Sequence, residues 1–282
     1  MCPVGSKSSE SGRGGRRLPG WARPRAQVRA VEEQHSGMDL IYGRNAVREA
    51  LRGRRKVHAV LLALGETGEG LEQSLRSWCA SFGVELPPVD RVAAAELTSR
   101  LGTSEHQGIA AVVDPYPYAD EEQVLREHSL VEVLDEVQDP HNLGAVIRTA
   151  EATGAAVVFP RHHAAEVTPA AVKASAGATE HATVAQVRNL SDFLAQAKAA
   201  GFWVYGAEAK AESVYTEQDY RYPTCFVLGS EGEGLGRRVA SVCDVLVRVP
   251  LQGKVESLNV SVCSAVLLYE AVRQRATGTG QT

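Results

Sequence analysis

LVEVLDEVQDPHNLGAVIRTAEATGAAVVF, residues 130–159, decides the fold. Leu130–Leu134 reads as a strand, Leu143–Thr153 as a helix, and Ala155–Phe159 as a second strand. A strand, helix and strand in succession form the repeating unit of a parallel sheet. The pattern continues outward. Thr183–Val187 reads as a strand, Leu190–Ala200 as a helix, and Phe202–Gly206, Cys225–Gly229 and Val245–Val249 as three more strands. Ser257–Arg273 reads as a closing helix. The alternation predicts an α/β fold with a mostly parallel sheet covered on both faces, whose ligand sits beyond the carboxyl ends of the strands.

Upstream, residues 38–113 read as a smaller α/β domain. Ala46, Val47, Ala50 and Leu51 share one face of a helix over Arg44–Leu51. A strand follows over Val57–Leu64, then a helix over Leu71–Phe82 stopped by Gly83, a helix over Val92–Leu101 and a strand over Ile109–Val113. DPYPYADEE, residues 114–122, reads as a linker into a second domain over residues 123–282. Residues 1–37 are rich in Gly, Ser, Pro and Arg without apolar periodicity, which predicts a disordered tail.

The chain has 282 residues, 44% apolar and 23% charged, an ordinary balance for a globular protein of about two domains. No apolar run approaches the roughly 18 residues of a membrane span. Five cysteines, none two residues from another, argue against a disulfide scaffold or a Cys-rich metal site and for a reducing, cytoplasmic compartment. His162 and His163 are adjacent, which does not suit one metal ion, so no metal is expected. The net charge of −4 hides an asymmetry: residues 1–37 carry seven basic against three acidic residues, so the body is acidic. Arg16-Arg17 has no apolar segment after it, so an export signal is not expected.

Three loops hold residues that a plain turn does not need. In PHNLGAVIRTA, residues 140–150, Asn142 is a candidate helix N-cap. Arg148 within an Ala-rich helix is either a structural ion-pair partner or an anion ligand. The two lie six residues apart, about 240° beyond one turn, and need a bend or a second chain to serve one site. In VLGSEGEGL, residues 227–235, Gly229, Gly232 and Gly234 would let backbone approach a ligand, and Glu231 stands out. Neither a dinucleotide fingerprint nor a P-loop is present, which weighs against a nucleotide-dependent oxidoreductase. In VPLQGKVESLNVSVCSAVLLYEAV, residues 249–272, an almost wholly apolar helix begins with Ser257 and Asn259. Capping accounts for Ser257 and less readily for Asn259.

Together Asn142 to Arg148, Gly229 to Gly234 and Pro250 to Ser261 resemble the three motifs of the SpoU (TrmH) family of S-adenosylmethionine-dependent RNA ribose 2′-O-methyltransferases. The resemblance spans about residues 38–275. DPHNLGA, GSEGEGL, ESLNVSV and LYEAVRQR are most similar to the branch that methylates a guanosine ribose in bacterial large-subunit ribosomal RNA. The resemblance implies a C-terminal α/β trefoil-knot methyltransferase domain, a smaller N-terminal L30e-like domain that binds RNA, and a homodimer with its sites near the subunit interface. It implies that Gly229, Val249 and Leu258 hold the adenosyl group of the cofactor, with Leu228 and Leu251 lining the slot and Ala207 and Glu208 beside it. Arg148 matches the catalytic arginine and Asn142 its motif partner, while Glu231, Ser257 and Asn259 match the other polar site positions. Ser230 stands where many relatives have Asn, which implies a lost or water-replaced hydrogen bond. Cys263 occupies a small-residue position and reads as packing.

RNA is expected on the first domain. Arg44, Arg48 and Arg52 form one stripe of a helix, extended by Arg54, Arg55 and Lys56. Such a stripe is either a solvated face or a phosphate contact, and the resemblance favours the latter. Transfer RNA or a ribosomal uridine is the nearest alternative substrate. A non-catalytic RNA-binding assembly factor is the alternative of a different class.

Overall fold

The protein is described by a computed structural model that covers residues 37–162, 164–230 and 234–278. The basic tail, apart from Gly37, lies outside the described residues, as does Glu231. From Gly37 onward the chain forms one compact unit built on two sheets.

The larger sheet holds β5 (Leu130–Leu134), β6 (Ala156–Pro160), β7 (Val184–Val187), β8 (Trp203–Ala207), β9 (Ser213–Val214), β10 (Thr224–Leu228) and β11 (Val245–Arg248). Their order is β7-β6-β5-β10-β8-β11-β9, and every pairing is parallel. All carboxyl ends therefore lie along one edge. β5 is central and buried at every residue. Leu130 and Leu134 enter one core with helices α5 (Pro140–Thr153) and α9 (Val260–Gly278), while Val131 and Val133 enter the other with α7 (Leu190–Ala199). Burial on both faces is why the central strands read as nearly continuous apolar runs.

α5 begins earlier than expected. Its cap is Asp139, whose carboxylate accepts the His141 N–H at 2.9 Å, and Pro140 opens the first turn without needing a donor. Asn142 is therefore not the cap and lies inside the helix. Leu143, Val146, Ile147 and Ala150 form the buried stripe, and Gly154, at φ 72°, ends the helix. Gly144 lets α6 (Pro169–Ala174) approach, because a Cβ there would lie 2.5 Å from the Ala171 carbonyl oxygen.

The smaller sheet contains β1 (Asp39–Tyr42), β2 (Val57–Ala63), β3 (Val89–Val92) and β4 (Ile109–Val113) in the order β1-β4-β2-β3. β4 is antiparallel to β1 and β2, and β2 is parallel to β3. The helices beside it are α1 (Arg44–Ala50), α2 (Glu66–Phe82) and α3 (Ala94–Leu101). β3 lies where the sequence suggested the start of a helix. Val92 ends the strand and the helix begins two residues later.

Residues 114–122 do not run free. Ala119 bridges to Ala185, the Tyr116 hydroxyl donates to the Thr179 carbonyl at 2.9 Å, and the Val167 N–H donates to the Tyr118 hydroxyl at 3.0 Å. Glu121 already belongs to α4 (Glu121–Glu127). Between the two sheets Arg55 is buried, donating to Glu180 through Nε at 3.0 Å and through Nη2, and to Asp39 through Nη1 at 3.1 Å. Its side chain is 1% exposed and that of Glu180 is fully buried. Arg55 is thus an internal ion-pair partner and cannot meet RNA, a correction to the expected basic stripe.

Candidate active site

The carboxyl ends of β8, β10 and β11 open into one cavity of about 360 Å³. Its lining includes all seven residues expected to hold a cofactor: Ala207, Glu208, Leu228, Gly229, Val249, Leu251 and Leu258. Ser257, Ser230 and Cys263 line it too. Three stretches distant in sequence meet because β10 lies between β5 and β8, and β11 lies on the far side of β8.

The two ends of the turn after β10 lie close together. A Cβ on Gly229 would lie 2.0 Å from the Gly234 carbonyl oxygen, so no larger residue fits. Gly234, at φ 71°, pairs with Ser230 through a hydrogen bond of 3.1 Å. The Glu208 carboxylate closes the other side, 3.1 Å from where a Cβ on Gly234 would sit.

The start of α9 reverses the expected roles of its two polar residues. Asn259 is the cap: its Oδ1 accepts the Ser261 N–H at 2.9 Å and the Ser261 hydroxyl at 2.6 Å. Its Nδ2 donates to Asn142 Oδ1 at 3.0 Å, joining residues 117 positions apart. Ser257 does not cap; it faces the cavity. The Asn142–Asn259 bond ties α5 to the helix that walls the cavity.

Arg148 lies apart from this group. It is exposed, does not line the cavity, and its side chain makes no hydrogen bond or ion pair with any described residue. The structural ion-pair reading therefore has no partner among the described residues, and the cation is available to an anion.

Glu132 is a feature the motifs did not signal. It sits mid-strand in β5, wholly buried, with Oε2 accepting the Ser264 hydroxyl at 2.8 Å and Oε1 without a partner among the described residues. Burial pushes its carboxyl up to about 8. The adjacent Cys263 thiol is pushed up to about 11 by burial and then by Glu132, which fits a packing residue and not a nucleophile. Arg248 was also missed. It lines the cavity, and its Nη1 donates to the carbonyls of Ala211 (2.5 Å) and Glu212, tying down the loop after β8. Nothing in the alternating strand VLVR marks it out in sequence.

The cavity suits S-adenosylmethionine. Leu228, Val249, Leu251 and Leu258 offer apolar surface for a flat base, and the close backbone at Gly229 allows polar contacts to its edge. Glu208, Lys210, Arg248 and Glu256 supply both signs of charge for the zwitterionic amino-acid end. Among the described residues no His, Cys, Asp or Glu cluster could hold a metal ion, and no helix is long and apolar enough to cross a membrane.

On the smaller sheet, Arg44, Arg48, Arg52 and Lys56 are exposed. Arg48 and Arg52 lie over the Phe82 ring at 5.9 and 5.6 Å, and Arg52 also pairs with Glu49. Arg54 is exposed but donates to the Ala182 carbonyl.

Comparison with known proteins agrees with this geometry. Residues 129–269 match the SpoU rRNA Methylase family, and residues 40–119 match the family described as RNA 2'-O ribose methyltransferase substrate binding. The chain is 38% identical over 252 residues to "Putative TrmH family tRNA/rRNA methyltransferase YacO" of Bacillus subtilis, covering 87% of this chain and 98% of that protein. A Staphylococcus aureus protein of the same TrmH description is 36% identical, covering 84% and 96%. Among solved structures, the SpoU methyltransferase AviRb from Streptomyces viridochromogenes, in complex with AdoMet, aligns with a TM-score of 0.69 at 25% identity, covering 92% of this chain and 96% of its own.

Proposed function

The chain belongs to the SpoU rRNA Methylase family, and from that premise we propose that its substrate is a guanosine ribose in large-subunit ribosomal RNA. The protein is an RNA ribose 2′-O-methyltransferase that uses S-adenosylmethionine. The observation that supports the finer reading is the likeness of DPHNLGA, GSEGEGL, ESLNVSV and LYEAVRQR to the guanosine branch, while the meeting of Gly229, Val249 and Leu258 in one cavity supports the donor site.

The bound donor supplies an electrophilic methyl carbon on a sulfonium. This chain must hold that carbon in line with a ribose 2′-oxygen, and alignment of this kind is worth roughly 7–11 kcal/mol in favourable cases. Leu228, Gly229, Val249, Leu251 and Leu258 hold the adenosyl group, with Ala207 and Glu208 beside it. Asn142 and Asn259 fix the start of α9 against α5, and Ser257 and Glu231 supply the remaining polar contacts. Arg148 binds a phosphate next to the target ribose and stabilises the charge developing on O2′. An arginine stays protonated in proteins, so it does not serve as base. The hydroxyl proton leaves to phosphate oxygen, water or a neighbouring group.

Arg148 lies outside the cavity of its own chain, so the reading takes it from a second copy. Val262 and Tyr269 leave apolar surface exposed on α9, which packs against α5, and this supports an isologous homodimer over that face. Residues 38–113 serve as an L30e-like RNA-binding domain through Arg44, Arg48, Arg52, Arg54 and Lys56. Residues 123–282 form the trefoil-knot domain, and the enzyme works in the cytoplasm. Nucleotide-level mapping of ribose methylation, in cells with and without the protein, tests the substrate. Loss of one 2′-O-methylguanosine from large-subunit RNA is expected. Loss from a transfer RNA or from a uridine instead would overturn it.

A further inference from the structure

The turn that lines the cavity is spanned at both ends by one buried residue. Asp135 follows β5 directly and is 7% exposed. Its N–H donates at 2.8 Å to the carbonyl of Leu228, the last residue of β10 before the turn. Its Oδ2 accepts at 2.9 Å the N–H of Gly236, where the chain leaves the turn for α8 (Arg237–Ala240). A Cβ on Gly236 would lie 3.1 Å from the same oxygen, so the carboxylate sits directly against the backbone there. Asp135 does not itself line the cavity, whereas Leu228, Gly229, Ser230 and Gly234, between its two contacts, do.

We infer that Asp135 is a positioning residue for cofactor binding. Its backbone fixes where the turn begins and its carboxylate fixes where it ends. The span between those points sets the place of the Gly229 backbone against the ligand. A carboxylate accepting a backbone N–H in a site shielded from water is a strong tie, and losing the acceptor strands the donor without a partner. The inference rests on reading the cavity as the S-adenosylmethionine site.

The test compares Asp135→Ala and Asp135→Asn in the full chain, measured below their unfolding temperatures. Calorimetric titration with S-adenosylmethionine gives Kd, and methyl transfer at saturating cofactor gives kcat. Asp135→Ala is expected to weaken cofactor binding roughly tenfold or more, from the typical effect of an orphaned buried donor, with kcat within about threefold of wild type. Asp135→Asn keeps an oxygen where Gly236 needs it and is expected to restore most of the affinity. Where the alanine variant does not fold, Asp135→Leu takes its place, filling the volume without an acceptor. A variant lacking the acceptor that binds cofactor like wild type overturns the inference, as does an asparagine variant no better than alanine. Wild-type protein that binds no S-adenosylmethionine is a different failure, that of the cavity assignment.

Discussion

Replacing Glu132 by Gln should change how stability depends on pH, and the structure sets the size of the change. The carboxyl is fully buried in β5, with one hydrogen bond from Ser264 and one oxygen unpartnered. Its folded-state value is about 8 against 4.5 for an ordinary glutamate, because burial disfavours the charged form. The folded state therefore keeps a proton that the unfolded chain releases. Its contribution to stability is fully present below 4.5, falls as pH rises towards 8, and is constant above that. The whole span corresponds to about 5 kcal/mol, and the part between pH 6 and pH 9 to about 3 kcal/mol. Gln cannot ionise. It keeps an acceptor for Ser264 but places an amide N–H₂ at the unpartnered corner, a cost of about 1–3 kcal/mol independent of pH. The diagnostic quantity is thus the difference between the two proteins, followed across pH. Urea unfolding of both at pH 5, 6, 8 and 9 measures it. The wild type should lose about 3 kcal/mol relative to Glu132→Gln between pH 6 and pH 9. Two stability curves that stay parallel over that range would show that the carboxyl is already ionised when buried, and would refute the reasoning.

Other perturbations separate the roles assigned to the cations. Arg148→Ala should lower single-turnover methyl transfer by about 10²–10³, the typical effect of removing one group that stabilises developing charge, while calorimetric affinity for S-adenosylmethionine stays within twofold. Near-normal turnover would exclude Arg148 from the reaction. Substituting Arg44, Arg48 and Arg52 together by Ala should reduce the slope of log K for RNA against log salt by up to about 2, because each phosphate contact on single-stranded RNA contributes about 0.7. Filter binding at four salt concentrations reads the slope, and an unchanged value counts against the stripe as an RNA contact. Arg55→Ala should leave that slope alone and destabilise the fold by about 3–5 kcal/mol in urea, since it strands the buried Glu180. The double change Arg55→Met with Glu180→Leu should recover most of the loss.

The central strands were legible in sequence because a parallel sheet covered on both faces imposes a nearly continuous apolar run, as in LVEVL, broken only by Glu132, and TCFVL. The elements that escaped reading are short. β9 has 2 residues, α8 has 4 and α6 has 6, too few to display a period. β3, VDRV, shares Val92 with the edge of an apolar helical pattern and was absorbed into it. Caps misled in both motifs: Asn142 and Ser257 each have a capping side chain, but Asp139 and Asn259 hold the positions. The residues expected to hold the donor line one cavity, and all but Ala207 and Glu208 could be picked out because they fall in contiguous motifs. Arg248 and Asp135 were not, because what distinguishes them is a bond to backbone 37 and 101 residues away, which no local pattern encodes.

One segment links these observations. The stretch that fixes the fold also carries the polar ties that shape the cavity. Glu132 takes the Ser264 hydroxyl of α9, Asp135 takes Gly236 beyond the turn, and Asn142 takes the amide of Asn259 at the head of α9. Each tie holds a residue that flanks the lining, two at the closing helix and one beyond the turn, and all three start within eleven residues, from the central strand to the helix after it. Apolar packing alone would leave the loops free to slide over the sheet edge, since dispersion and the hydrophobic effect are weakly directional. Hydrogen bonds from a buried strand are directional, and an unmade one is costly in that setting. The precision needed to align a methyl carbon with a sugar oxygen is therefore supplied by the centre of the sheet, while the loops supply the contacts. Arg148, six residues beyond Asn142 on the same helix, is exposed, lies outside the lining, and has a side chain tied to no described residue. That contrast suits the proposed dimer, in which the cavity forms within one chain and the exposed cation of the other would complete it.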